Sequence, residues 1–145
     1  MSDFNKSKYN ITYGYEYMDF FKVTEMLTAS YWSPGIKMDE VKRGAANSAL
    51  VMGVFKSTEQ IGYARVISDK TRFAYILDVI VDERYRKQGI GQMMIKTLLQ
   101  HTALREVYQW TLATKDAHGV YSKLGFTPIS NPEKWMEIRK ERPER

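Results

Sequence analysis

Cysteine is absent from the chain. That excludes disulfides, iron–sulfur clusters, thiolate zinc sites and any acyl intermediate held on an enzyme thiol. Histidine occurs only as His101 and His118, too far apart for a histidine-rich metal motif. Long apolar runs are missing as well. The longest, Phe73 to Val81, is broken by Asp78 and falls well short of the roughly 20 residues that cross a bilayer. The opening MSDFNKSKYN has no apolar stretch of the kind a secretory leader needs. Together these absences lead us to expect a cytoplasmic protein with no metal and no membrane partner.

What is present describes one globular domain. The 145 residues suit a single unit, 1–145. A 43% hydrophobic and 27% charged composition is incompatible with disorder as a whole-chain state. Lys and Arg number 22 against 17 Asp and Glu, a net charge of +5. Such an excess suits a partner carrying phosphates, either a nucleotide cofactor or a nucleic acid. The basic residues are spread along the chain and no reader motif is present, so nucleic acid is not the expected partner.

Periodicity predicts the elements. Alternation over Tyr9 to Tyr15 predicts a first strand. Apolar residues three and four apart from Phe20 to Ala29 predict a helix ending before Ser33-Pro34-Gly35, and Met38 to Ser48 predicts a second. Ala49–Lys56 and Ile61–Ser68 read as strands joined by a four-residue hairpin loop, Ser57 to Gln60. Phe73–Val81 reads as a central strand, apolar on both faces. Gly89 to Arg105 is the clearest helix, followed by a strand at Tyr108–Ala113 and a short helix at Ala117–Leu124. Phe126–Ile129 and Trp135–Ile138 are expected as closing strands, with Trp135 in the core and the tail KERPER frayed. Antiparallel strands followed by a β-α-β crossover make the fold class α/β (α+β), a mixed, mostly antiparallel sheet with helices on both faces.

The chemistry is concentrated in residues 77–95, LDVIVDERYRKQGIGQMMI. A central strand ends at Val81, a polar loop follows, and Gly89-Ile90-Gly91 opens the long helix. Glycine lets backbone N–H groups approach a ligand, and the helix N-terminus adds unpaired donors and a positive dipole end. Arg84, Arg86 and Lys87 add charge, so the segment suits a phosphate or pyrophosphate. A dinucleotide fingerprint needs a third glycine where Met94 stands, and a P-loop needs Gly-Lys-Ser/Thr; neither is present.

Arg86-Lys87-Gln88-Gly89-Ile90-Gly91 resembles the Arg/Gln-x-x-Gly-x-Gly/Ala signature of the GCN5-related N-acetyltransferase (GNAT) superfamily. Ala117 to Phe126 (AHGVYSKLGF) resembles its second signature, Ala-x-x-x-Tyr-x-x-x-Gly-Phe. The resemblance is specific from Leu77 to Phe126 and extends in element order back to Ala49. It implies a small acyl-CoA N-acyltransferase fold using acetyl-CoA as cosubstrate and acting on a small-molecule or peptide amine. Small members of that family are often homodimers. By the same resemblance, Val79, Ile80 and Val81 pair with the pantetheine arm, and Arg86, Lys87, Gln88, Gly89, Ile90 and Gly91 cradle the pyrophosphate. The resemblance places the backbone N–H of Val79 at the acetyl oxygen and Tyr121 as general acid.

Asp78 is a candidate base, the alternative being a structural carboxylate bonded to backbone groups, and Glu25 is a second candidate base. Where the family often carries Asn, this chain has Thr114, expected to offer the pantetheine one hydrogen bond, and Lys115, which could reach a cofactor phosphate. His118 reads as a surface or supporting residue and His101 as a partner of a helix C-terminal dipole. The acceptor side is expected near Tyr31-Trp32-Ser33-Pro34-Gly35. A non-catalytic acyl-CoA-binding module on the same fold is the alternative reading.

Overall fold

The computed structural model describes residues 8–145. The reading of the chain start as leaderless rests largely on residues 1–7, outside the described residues. Five strands form one sheet in sequence order: β1 (Asn10–Tyr13), β2 (Leu50–Lys56), β3 (Glu59–Ser68), β4 (Phe73–Val81) and β5 (Gln109–Thr111). The first four are antiparallel neighbours, and β5 joins β4 in parallel after a crossover through α3 (Ile90–Leu99). Helices α1 (Phe20–Thr28) and α2 (Met38–Ala46) precede β2, and α4 (His118–Ser122) follows β5. Among the described residues, no helix is long and apolar enough to cross a membrane.

Each strand feeds two cores because side chains alternate across a sheet. Met52, Ala64 and Ile76 face α3 and meet Met94, Ile95 and Leu98. Val51, Tyr63 and Ile80 face the other way, onto Val23 and Leu27 of α1 and Val41 and Ala45 of α2. Helix α1 starts where Asp19 accepts a hydrogen bond from the Lys22 backbone at 3.2 Å. In α2, Asp39 and Glu40 complement the dipole in the first turn.

The structure departs from the periodicity reading in three places. The β2–β3 hairpin is tighter than a four-residue loop: Lys56 pairs with Glu59, and Ser57 turns the chain at φ 55°. Gln60 therefore lies inside a strand, fully buried. Its side chain accepts from the Asp19 N–H at 2.8 Å and donates to the Gly62 carbonyl at 3.1 Å. Paired this way, a polar residue that reads as loop is stable in the core. Second, α3 stops at Leu99, and a 3-10 turn, Thr102–Leu104, follows, started by His101. The His101 Nδ1 accepts from the Ala103 N–H at 3.0 Å, so this ring caps the next turn instead of serving the α3 dipole.

Third, the expected closing strands are not formed. Phe126–Ile129 and Trp135–Ile138 have no strand pairing, and the only regular piece after α4 is a 3-10 turn, Pro132–Lys134. Pro128 and Pro132 cannot donate to a ladder. Trp135 is 47% exposed, its ring 6.5 Å from that of Phe73, so it is not a core residue. Nor is the tail frayed at its last residue: Arg145 is docked beside Gly35 and Glu40.

Candidate active site

The site begins with a gap in the sheet. Strand β5 pairs with β4 only from Phe73↔Gln109 to Tyr75↔Thr111, while β4 runs on to Val81. Beyond Tyr75, among the described residues, that edge of β4 has no strand beside it. Opposite Ala64 of β3 the ladder slips, and Asp78 takes a left-handed conformation, φ 56°. Such a conformation costs an L-residue about 1–2 kcal/mol, and Asp is among the side chains that tolerate it. The bulge re-aims Val79.

Its cause is visible in the side chain. Arg65 Nε donates to Asp78 Oδ2 at 2.7 Å, and Trp32 Nε1 donates to Oδ1 at 3.3 Å. Arg65 also donates to the Gly44 carbonyl and to Ser48 Oγ, both at 3.3 Å, tying the end of α2 to the bulge. Both Asp78 oxygens are therefore engaged. Glu25, the second candidate base, is exposed on α1 and lines neither cavity described below.

After β4 the chain passes a four-membered charge network. Asp82 is buried and accepts from Lys22 Nζ at 2.6 Å and from Arg84 Nη2 at 2.9 Å; Glu59 receives Lys22 at 3.3 Å and also Arg84. The Arg84 guanidinium, aided by Lys22, holds the Asp82 carboxyl well below the usual carboxylate range. Burial alone would lower the Lys22 ammonium, but hydrogen bonds to Asp82 and Glu59 outweigh it and raise the group. Arg84, expected among the phosphate-facing charges, is spent on this network. Arg86 and Lys87 remain exposed, with Arg86 Nε donating to the Val81 carbonyl at 2.9 Å.

The glycine loop is built from two left-handed residues, Lys87 at φ 64° and Gly89 at φ 80°. Gln88 Oε1 accepts from the Tyr9 hydroxyl at 2.8 Å, anchoring the loop to β1. Gly89 offers no side-chain cap to α3, so the first-turn N–H groups are left for another acceptor. A Cβ added at Gly91 would meet nothing within 4 Å. That space, beside unpaired donors and the dipole end, fits a pyrophosphate.

Tyr121 of α4 lies where two cavities meet. One, of about 930 Å³, runs along the outer edge of β5; the other, of about 330 Å³, lies between β4 and the α1–α2 junction. Leu112, Ala113, Thr114 and Tyr121 line both. The Tyr121 ring meets Phe126 edge-on at 5.9 Å, and burial, then the neighbouring Tyr31, pushes its phenol up from the usual value. Thr114 Oγ1 accepts from the Ala117 N–H at 3.1 Å and so closes the turn that leads into α4. Lys115 does not reach the glycine loop: its ammonium sits over the Tyr31 ring, 5.5 Å from the centroid. His118 Nε2 lies 3.0 Å from the Thr114 carbonyl, in a supporting position.

Val79, Thr114 and Tyr121 thus share the smaller cavity, whereas Ile80, Val81 and Gly89–Gly91 line neither cavity. Sequence reading missed Arg65, Glu40 and Arg145. Only Arg65 had a usable signal, a lone cation within the apolar strand IGYARVI.

Comparison with known proteins agrees with this geometry. Residues 16–126 match the model of the Acetyltransferase (GNAT) family, so the chain belongs to that family. It is 32% identical to a solved protein of Xanthomonas campestris pv. campestris described as a GNAT acetyltransferase, with a TM-score of 0.86 over 91% of this chain and 93% of that one. It shares its fold, at 18% identity and a TM-score of 0.69, with a Clostridium acetobutylicum acetyltransferase solved with acetyl-CoA, over 90% of this chain and 96% of that one. Among curated sequences it is 30% identical over 101 residues to the "Uncharacterized N-acetyltransferase ycf52" of Pyropia yezoensis, covering 66% of this chain and 57% of that protein. The chain spans a little over half the length of that relative.

Proposed function

We propose that this chain moves an acetyl group from acetyl-CoA directly to a primary amine. The observation that carries the reading is the splay of β4 from β5 ending on a glycine-opened helix, which offers a backbone slot and an anion cradle in line. Val79, Ile80 and Val81 would hold the pantetheine arm by main-chain hydrogen bonds, with Thr114 beside it. Arg86, Lys87, Gln88, Gly89, Ile90 and Gly91 would hold the pyrophosphate. Acetyl-CoA brings the acetyl group already activated as a thioester.

The chain's own groups supply the rest. The N–H of Val79, aimed by the bulge, donates to the acetyl oxygen as negative charge develops there. Tyr121, its phenol raised by burial, stays protonated at neutral pH and donates to the departing thiolate. Asp78, a candidate base, is better assigned to positioning, because Arg65 and Trp32 occupy both its oxygens and it shapes the backbone at Val79. An amine delivered unprotonated needs no strong base.

The sequence expectations of a homodimer and a cytoplasmic location are kept as part of the proposal. The outer edge of β5 has no strand beside it and borders the larger cavity. Met136 and Ile138 alternate with Glu137 and Arg139, as in a strand, yet are 95% and 91% exposed. A second copy of the chain, bringing this segment to the β5 edge, would cover both.

The test is a melting experiment with acetyl-CoA and CoA, followed by thiol release against a panel of amines. A ligand that binds only the folded chain raises its melting temperature. A shift with thiol release supports the transferase. A shift without release for any amine supports a binding module, and no shift at millimolar acetyl-CoA overturns both.

A further inference from the structure

The smaller cavity opens between Tyr121 and Val79 on one side and the α1–α2 junction on the other, with Trp32 and Glu40 in its wall. Glu40 sits in the first turn of α2 with its side chain 34% exposed. Its carboxylate has one ion-pair partner among the described residues, and that partner comes from the far end of the chain. Arg145 Nη2 donates to Glu40 Oε2 at 2.7 Å, and the arginine side chain is only 12% exposed. Arg145 packs beside Gly35, at φ 73°, where an added Cβ would stand 3.4 Å from the Arg145 Cβ, an ordinary contact.

The fit of Arg145 is incomplete. Its Nε and Nη1 are buried without a hydrogen-bond acceptor among the described residues. Burying such donors unpaired costs free energy, while leaving a half-buried carboxylate without a cation also costs. The position therefore calls for a cation, and the guanidinium that fills it is imperfectly satisfied. A smaller cation with fewer donors, or one able to shift, meets the same carboxylate at less cost.

We infer that Glu40 selects acceptors carrying a second cationic group, and that Arg145 occupies this subsite in their absence. The inference rests on the acetyltransferase reading for the reaction, but not for the binding. The acceptor class is a small dibasic amine: one amine, unprotonated, reaches the Val79 and Tyr121 side of the cavity, while the other, charged, displaces Arg145 from Glu40. A cavity of about 330 Å³ has ample room for a molecule of this size. The tail is then a built-in competitor, so its arginine weakens acceptor binding without touching the cofactor slot.

The experiment titrates 1,4-diaminobutane, agmatine and the uncharged 1-butanol into the wild-type chain, Glu40→Gln and Arg145→Ala, measured calorimetrically. The acetyl-CoA melting shift is recorded on each protein. The wild type should bind the two dibasic amines more tightly than 1-butanol by about tenfold, the range expected of a charge-assisted contact. Arg145→Ala should widen that ratio several-fold, and Glu40→Gln should collapse it. Thiol release, where it occurs, should show the change in KM for the dibasic amines and little in kcat. Equal binding of the two amines and 1-butanol by the wild type and by Arg145→Ala overturns the inference, as does an undiminished ratio in a folded Glu40→Gln. Should Glu40→Gln fail to fold, the Arg145→Ala ratio decides alone. Loss of the acetyl-CoA shift in the wild type would instead count against the acetyltransferase reading, and the amine titration would still judge the cation subsite.

Discussion

At the scale of single residues, the site works through groups whose neighbours leave them one role. Tyr121 is half-buried and protonated at neutral pH, so it can give a proton and cannot readily take one. Tyr121→Phe should lower kcat by at least about tenfold, in line with loss of a general acid, with an unchanged acetyl-CoA melting shift. Equal kcat in the variant would remove the tyrosine from the mechanism. Asp78 shows the opposite lesson. From the sequence this carboxylate reads either as a base or as a structural group. Arg65 on the neighbouring strand and Trp32 from the α1–α2 junction turn it into a brace. Neither contact is local in sequence, so no spacing rule could reveal it.

At the scale of elements, the glycine loop separates two uses of glycine. Gly89 needs its freedom to stay at φ 80°, whereas Gly91 lies in the helix and its Cβ direction is empty. Gly91→Ala should therefore keep or raise stability, by up to about 1 kcal/mol from helix propensity. It should weaken acetyl-CoA binding if the pyrophosphate approaches there. A melting curve without ligand and one with acetyl-CoA separate the two effects, and unchanged ligand affinity would move the pyrophosphate away from this face. Elements with strong periodicity were legible: α1, β4 and the body of α3 lie where alternation or a 3.6-residue stripe placed them. The hairpin end at Glu59 and Gln60 was not, because a buried glutamine is stable only through the Asp19, Met18 and Gly62 atoms that satisfy it.

At the scale of the whole molecule, the Lys22, Glu59, Asp82 and Arg84 network joins α1, β3 and the segment after β4. Asp82 titrates lower in the folded chain than in the unfolded one. Its contribution to stability is thus present above the usual carboxylate range, about pH 4, and is lost as pH falls below it. Asp82→Asn should lower the melting temperature at pH 7 and flatten its decline between pH 5 and pH 2, approximate limits set by the same range; a parallel decline in both proteins would refute the linkage. The proposed dimer is tested by light scattering on a sizing column. The wild type should run as a dimer, and Met136→Lys combined with Ile138→Lys should run as a monomer with its melting temperature retained. A monomeric wild type at high micromolar concentration ends the proposal.

The sequence by itself determined the class of the protein. Two short motifs, their order and the β-α-β pattern between them define a GNAT chain, because a helix start opened by glycines is local and leaves a local signature. Tertiary structure decided the rest. It locked Arg84 into an ion-pair network, bent β4 at Asp78, left the closing segments unpaired and brought Arg145 to Glu40, 105 positions away in the chain. Those outcomes depend on which charges and unpaired strand edges meet once the sheet has formed, and partners so distant in sequence carry no spacing that could announce them.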